Sequence, residues 1–218
     1  HLYRNLVGMG VRDYLVRPVS EADLGQVVAR TLLDKKGLTD SRLAVVMGAK
    51  GGMGATSLAQ SLAYVIAEDL GQKTLLADAA GSAGTLGIAY GAESATGLGE
   101  AIRLGQSGSD DDLRRLLQSA GDNLGLLLTG GEAQLIDHVD ADGFEKLVQR
   151  LLHKYPVAVF DASGAAHGLQ KRMLTLASHI TLVTTPSLPA LRNTRGLLGE
   201  IKLARGNLAS VDLVINMK

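Results

Sequence analysis

Two hydrophobic patterns alternate along the chain from residue 42 onward. Short apolar runs are typical of strands, and the nearly continuous ones are typical of strands buried on both faces of a parallel sheet. Apolar residues at helical spacing between these runs predict helices. The alternation predicts an α/β fold, with a mostly parallel sheet and helices on both faces. We predict strands over 43–48, 73–78, 124–128, 156–161, 179–185 and 210–216, and helices over 56–69, 97–104, 110–119, 142–153, 168–177 and 189–204.

The beginning of the chain has a different pattern. Residues 1–36 combine a short helical pattern, a strand-like alternation and a helix that Ser20 could cap. Residues 37–41 are polar and indicate a linker to a third segment, 42–218. Residues 1–36 offer too little surface to bury a core, so we do not expect them to fold alone. Because the chain starts at a histidine, we expect it to be a fragment, truncated at its C-terminus as well.

Composition narrows the classes of function. Hydrophobic residues make up 46% of the chain and aromatic residues only 3%, so the core must be aliphatic. The 22 basic residues balance the 22 acidic ones, which gives no global attraction to nucleic acid or anionic lipid. The absence of cysteine excludes disulfides and thiolate metal sites. No apolar stretch approaches the roughly 18 residues of a membrane span.

The glycine-rich segment between the first predicted strand and the first predicted helix carries the clearest chemistry. Residues 50–57 read Lys-Gly-Gly-Met-Gly-Ala-Thr-Ser. Closely spaced glycines let backbone N–H groups turn inward, and the following helix adds its positive dipole end, which together suit a phosphate. An ordinary glycine turn is the alternative, but the strand before and the helix after favour phosphate binding. Thr56 stands where a P-loop hydroxyl would bind Mg²⁺, whereas the preceding P-loop lysine is replaced by Ala55.

The stretch Lys50–Thr56 resembles the deviant Walker A motif, KGGxGK[ST], of MinD/ParA-type ATPases. Three later segments resemble that family's motifs in the same order: 73–78, a second strand ending at an acid; 157–164, the Walker B/switch II strand; and 211–216, a strand whose terminal Asn reads adenine. The resemblance implies ATP and Mg²⁺ as cofactors. It implies nucleotide contacts from Lys50, Gly51, Gly52, Met53, Gly54, Ala55, Thr56, Ser57, Pro186 and Asn216, and metal contacts from Thr56, Asp78 and Asp161.

Purely structural interpretations of these later residues stay open. Asp78 and Asp161 could simply cap the ends of their strands. Asn216 could end a strand in a turn, and Pro186 could only shape a loop.

Two further features resemble one branch of that family, the CpaE/TadZ pilus-assembly proteins. The glycine loop has their GGxGAT form, and residues 10–18 resemble the last strand of a receiver domain. Residues 1–36 would then be the C-terminal part of a degenerate receiver. The resemblance implies a cytoplasmic homodimer that localises or assembles a Tad-type pilus or secretion machine, at the inner face of the membrane at a cell pole. Its partner would be the motor ATPase or inner-membrane assembly proteins, with at most peripheral membrane contact and no nucleic acid.

Two departures from the family pattern predict weak or absent hydrolysis. Ala55 removes the lysine that clamps the phosphates, and charge-assisted contacts contribute roughly 1.5–3 kcal/mol. Ala80 stands where the family has a second aspartate that positions water, a role usually worth about 10²–10⁴ in rate. By resemblance, Lys50 could still contact phosphate across a dimer. A non-catalytic dimeric scaffold and a partition-type ATPase acting on DNA are the alternatives.

The remaining polar clusters have structural interpretations. The five histidines show no metal-ligand spacing, so we expect surface or strand-edge positions. Asp110–Asp112 should begin a helix, and Asp142 with Glu145 resembles a capping box. The pairs 114–115 and 171–172 are expected on solvated helix faces rather than in a DNA-binding patch.

Overall fold

The computed structural model describes residues 42–80, 84–94, 96–130, 140–206 and 210–216. The predictions made for residues 1–36 and 37–41 lie outside this range. The strands are β1 (Arg42–Gly48), β2 (Thr74–Asp78), β3 (Leu117–Ser119), β4 (Leu124–Leu127), β5 (Val157–Asp161), β6 (His179–Thr184) and β7 (Val211–Ile215). The helices are α1 (Ala55–Tyr64, continued by a π-helical segment Val65–Asp69), α2 (Leu86–Tyr90), α3 (Leu98–Ser107), α4 (Asp110–Arg115), α5 (Ala141–Lys154), α6 (His167–Leu176) and α7 (Leu188–Arg205).

The seven strands form one sheet in the order β3-β4-β2-β5-β1-β6-β7. Every pairing is parallel except that of the edge strand β3 with β4. β1 therefore lies inside the sheet, between β5 and β6, and its C-terminal end opens at the edge where ligands of open α/β sheets bind. The predicted α/β fold with a mostly parallel sheet is confirmed.

A separate hydrophobic cluster covers each face of the sheet. On one face, Val45 and Phe160 pack with side chains from α3, α5 and α6, and the ring of Phe160 meets that of Phe144 edge-on at 5.8 Å. On the other face, Val46 packs with Leu62 and other side chains of α1. Alternate residues of β1 thus enter opposite clusters, as expected of a strand buried on both faces.

Several predicted boundaries were wrong. The helix predicted over 110–119 ends at Arg115, because Leu117–Ser119 pairs antiparallel with β4 and forms the sheet edge. Sheet pairing of this kind overrides a local helical pattern. The helix α2 was missed, and the helix predicted over 97–104 continues to Ser107.

Three smaller predictions also need correction. Helix α5 is capped by Asp140, whose side chain accepts hydrogen bonds from two backbone N–H groups, rather than by Asp142. His179 is buried, with Nε2 2.8 Å from Asp212 Oδ2. Arg172 is only partly exposed and forms an ion pair with Glu145 of α5. The capping of α4 at Ser109 confirms that the three aspartates begin a helix.

Among the described helices, none combines the length and the apolar character that crossing a bilayer requires.

Candidate functional site

The loop between β1 and α1 has the backbone of a phosphate cradle. Its first amide, Ala49 N, donates to Val183 O of β6 at 2.8 Å, which holds the loop to the sheet. Gly52 and Gly54 have φ of 76° and 89°, a left-handed conformation that side chains rarely tolerate. A Cβ on Gly54 would also lie 3.0 Å from Asn216 Nδ2. The sequence folds this way because glycine stands at both left-handed positions.

Gly54 is the N-cap of α1, and no side chain of the described residues caps this helix. The first turn of α1 also lacks an acidic residue. The N–H groups that begin a helix have no partner within the helix, and they carry the positive end of its dipole. At α1 these groups are left to a ligand, and an anion is the ligand that they favour.

A cavity of about 540 Å³ lies at this loop. Residues 47–57, from the end of β1 to the first turn of α1, line it together with Ala162, Ser163 and Gly164, which follow β5. Lys50 is exposed and Thr56 is partly exposed, so both can reach a ligand. Ala55 is only 5% exposed, and its side chain ends at the Cβ methyl, so this position offers no ammonium to a ligand. The predicted binding residues 50–57 are therefore brought together around a single space.

The two predicted metal-binding carboxylates are neighbours. Asp78 and Asp161 lie opposite each other at the ends of β2 and β5, and each is 2% exposed. Asp78 Oδ1 accepts from Ala80 N at 2.9 Å, and Asp161 Oδ1 accepts from Ser163 N at 2.9 Å. Burial raises the pKa of Asp78; the hydrogen bond from Ala80 lowers it in part, and the charge of Asp161 raises it again.

This pair fits a magnesium site that a nucleotide completes. No cluster of three or more His, Cys, Asp or Glu side chains occurs in the described part of the chain, so an all-protein cage is not available there. Mg²⁺ usually takes one or two carboxylates together with phosphate oxygens and waters. A cation would also relieve the repulsion between the two buried acids. Thr56 lines the cavity, whereas Asp78 and Asp161 are buried at its sheet edge without lining it.

Asn216 reaches the loop from the end of β7. Its backbone N donates to Thr184 O at 2.7 Å, and its Nδ2 donates to Met53 O at 3.0 Å. The structure therefore places Asn216 against the cradle. Pro186 is exposed in the segment after β6 and does not line the cavity.

Two of the polar side chains that line the cavity, Ser163 and Gln170, were missed by the sequence analysis. Ser163 follows Asp161 by two positions, so its closeness to a predicted metal-binding strand end was an available signal. Gln170 comes from α6, and its Nε2 donates to Ala162 O at 3.3 Å. Nothing in the local sequence distinguishes Gln170 from an ordinary exposed helix residue.

No protein-family model matches the chain. Among curated proteins, the septum site-determining protein MinD of Synechocystis sp. is 24% identical to this chain over 176 residues. The match covers 81% of the chain, and the chain spans 64% of the length of that relative. A ParA family ATPase from Chlorobium tepidum superposes with a TM-score of 0.72 at 20% identity, covering 81% of this chain and 74% of the other.

The chain has the fold of the ParA/MinD P-loop ATPases. The same fold is shared with the kinase domain of the Escherichia coli tyrosine kinase ETK, with a TM-score of 0.74 at 15% identity and coverage of 95% of this chain and 83% of that one. Since an ATPase and a kinase both use it, the fold does not decide the reaction.

Proposed function

We propose that this protein is an ATP-dependent switch of the CpaE/TadZ type. It binds ATP with Mg²⁺ at the glycine loop, forms a homodimer in that state and hydrolyses the nucleotide slowly or not at all. The observation that carries the proposal is the combination of an intact cradle with a missing lysine. The left-handed glycines and uncapped helix α1 are present, while the buried Ala55 occupies the lysine position.

Each group at the site has a task that follows from its position. Backbone N–H groups of residues 51–56 would hold phosphate oxygens, aided by the dipole of α1. The hydroxyl of Thr56 and the carboxylates of Asp78 and Asp161 would hold the metal, directly or through water. Bound Mg²⁺ supplies positive charge that offsets the charge of the phosphates. Asn216 would face the base, since it ends β7 beside the loop.

Weak turnover follows from two side chains. Ala55 cannot supply the charge-assisted contact that stabilises a departing phosphoryl group. Ala80 contributes only its backbone N–H, which is already donated to Asp78, and it has no carboxylate to orient water. Bound ATP should therefore persist without being hydrolysed, which suits a switch better than an enzyme with rapid turnover.

The proposed dimer rests on Lys50. Its side chain is exposed at the mouth of the phosphate cavity, so its ammonium is free to reach a nucleotide held by a second copy. ATP would favour the dimer by its higher affinity for that state than for the monomer.

The cellular role rests on the sequence resemblance. The GGxGAT loop and the receiver-like residues 10–18 support a cytoplasmic protein that localises or assembles a Tad-type pilus or secretion machine. We propose that it acts at the inner face of the membrane at a cell pole. Its partner would be the motor ATPase or an inner-membrane assembly protein.

Nucleotide calorimetry and solution mass, measured on the same samples, test the switch. We expect the wild type to bind ATP with Mg²⁺ and to shift toward a dimer when it does. Lys50→Ala should weaken the dimer while ATP still binds the monomer. Lys146→Ala, which removes an exposed lysine of α5, is the matched control and should behave like the wild type. A dimer without ATP binding at millimolar nucleotide would favour the scaffold alternative instead.

Turnover should be restorable. In the double variant Ala55→Lys/Ala80→Asp, we expect ATP hydrolysis to rise by about 10² over a near-background wild type, since both missing groups return. Phosphate release measured at saturating ATP checks this. Brisk hydrolysis by the wild type would show that other residues replace both groups, and the proposal of a slow switch would then be wrong.

A further inference from the structure

Two glycines flank Met53 in the middle of the glycine loop. Gly52 and Gly54 have the left-handed φ of 76° and 89° that only glycine adopts readily. Glycine loses more conformational freedom than any other residue when its backbone is fixed, so keeping both glycines in one conformation costs entropy. The shape of this part of the loop therefore needs support from groups outside it.

Met53 receives such support on two sides. Its side chain is 7% exposed and packs in the hydrophobic cluster of α1. Its carbonyl oxygen accepts a hydrogen bond at 3.0 Å from Nδ2 of Asn216, a residue 163 positions away in the sequence. Asn216 is itself held to the sheet, because its backbone N donates to Thr184 O of β6 at 2.7 Å. The end of β7 thus connects the middle of the loop to the sheet.

The hydrogen bond from Asn216 sets the direction of an N–H group in the loop. In a trans peptide, the carbonyl of one residue and the N–H of the next point in opposite directions. Since Met53 O points to Asn216, the N–H of Gly54 points away from Asn216. Met53 and Gly54 line the cavity, whereas Asn216 does not, so this N–H is directed to the cavity side. It belongs to the free N–H groups at the start of α1, which suit an anion.

The opposite orientation of the Met53–Gly54 peptide would harm phosphate binding. A flip of this peptide would break the hydrogen bond to Asn216 and turn the carbonyl oxygen of Met53 toward the cavity. The negative end of that carbonyl dipole would then repel a phosphate. The amide of Asn216 also packs closely on the loop, since a Cβ on Gly54 would lie 3.0 Å from its Nδ2.

We propose that Asn216 is a positioning residue of the phosphate cradle, which holds the Met53–Gly54 peptide with its N–H toward the bound phosphates. The assignment rests on the proposed function, since it needs a phosphate-bearing ligand at the loop. It is separate from any contact between Asn216 and a base, because the hydrogen bond acts on the loop backbone. An orientation set before binding lowers the entropy that the loop loses when the ligand arrives.

Inorganic tripolyphosphate with Mg²⁺ tests the assignment on the full chain, because it carries phosphates without a base. In calorimetry, Asn216→Ala should weaken the binding of both tripolyphosphate and ATP by about tenfold, near the upper end of what one hydrogen bond contributes. Ser178→Ala is the matched control. Ser178 Oγ donates to Leu43 O at 3.0 Å at the other end of the strands, so this variant also loses a long-range hydrogen bond and should keep both affinities.

The amide resonance of Gly54 in NMR spectra gives a readout that a loss of stability alone would not change. In the wild type, saturating tripolyphosphate or ATP should shift this resonance downfield, because the N–H donates to a phosphate oxygen. In Asn216→Ala the shift at saturation should be much smaller. The resonance of Gly99, inside α3, should stay in place in both proteins.

Three results would overturn the assignment. A loss of ATP affinity without a loss of tripolyphosphate affinity would restrict Asn216 to a contact with the base. A Gly54 shift of full size in Asn216→Ala would show that the N–H keeps its direction without this side chain, and an equal loss of affinity in Ser178→Ala would indicate a general effect on folding. If the wild type binds neither ATP nor tripolyphosphate, the proposed function itself is wrong, and the assignment falls with it.

Discussion

Helices α1 and α5 begin in opposite ways. Both pack an apolar side against the central sheet, on opposite faces. At α5 the side chain of Asp140 accepts hydrogen bonds from Asp142 N and Gly143 N, both at 3.1 Å. At α1 the cap is Gly54, which has no side chain to offer and takes a left-handed conformation. The same kind of backbone donor is satisfied within the protein at one helix and left available at the other.

The surroundings of the two helix starts follow from this difference. Asp140 also accepts from Gln106 Nε2 at 3.0 Å, so its carboxylate ties α5 to α3. The start of α1 faces the cavity of about 540 Å³ instead. A capped start stabilises the fold, whereas an uncapped start at a cavity gives up that stabilisation and keeps its donors for an anion.

The largest effect should come from placing a side chain at Gly54, the N-cap of α1. In Gly54→Val, a β-branched side chain must adopt a φ near 89° and press on Asn216, so the loop cannot keep its cradle. We expect ATP affinity to fall at least about 100-fold, equivalent to about 2.8 kcal/mol, as measured by calorimetry. An unchanged affinity would show that nucleotide binds elsewhere.

Gly99→Ala is the matched control for this glycine substitution. Gly99 lies inside α3, and a Cβ there would meet nothing within 4 Å. Alanine should stabilise the helix by up to about 1 kcal/mol and leave ATP binding unchanged. A loss of binding in both variants would indicate a general effect on folding rather than an effect on the cradle.

A smaller effect is expected from removing the side-chain cap of α5. Asp140→Ala should lower the free energy of unfolding by about 1 kcal/mol, since two helix donors lose their acceptor. The unfolding midpoint should fall by a few degrees, with ATP affinity unaffected. Asp142→Ala in the same turn should cost only a few tenths of a kcal/mol, because its side chain favours the dipole but does not cap the helix. Equal costs in the two variants would contradict the assignment of Asp140 as the cap.

The sequence predicted the glycine loop that begins α1, but it did not predict the correct cap of α5. The glycine loop was recognised because its spacing is local and each residue acts through its own backbone. The cap at Asp140 was misplaced by two residues, since Asp140 and Asp142 carry the same chemistry and only backbone geometry separates them. Helix boundaries are uncertain by one or two residues for the same reason.

Long-range contacts explain the other differences. The pairing of Leu117–Ser119 with β4 depends on a strand later in the chain, so local periodicity favoured a helix there. Similarly, Ser163 and Gln170 join the site only because β5 and α6 pack beside β1. The hydrogen bond from Asn216 to Met53 spans most of the described chain, and the sequence predicted the residue without predicting this partner.

The smallest effect concerns the acids of the site, which accept backbone hydrogen bonds as Asp140 does but lie beside another buried carboxylate. Asp161→Asn keeps an oxygen for Ser163 N but removes the charge that helps to raise the pKa of Asp78. When folding raises the pKa of a carboxyl, the protein becomes less stable as the pH rises through that raised pKa. At neutral pH the free energy of unfolding of the variant should therefore exceed that of the wild type. The gain should stay below about 1 kcal/mol, because one hydrogen-bonding oxygen is retained.

The difference in stability between the variant and the wild type should vanish below the ordinary pKa of 3.8, where Asp78 is protonated in both the folded and the unfolded state. Chemical unfolding without nucleotide across this pH range checks the sign, and a less stable variant at neutral pH would show that the Asp161 charge has a favourable partner in the folded protein.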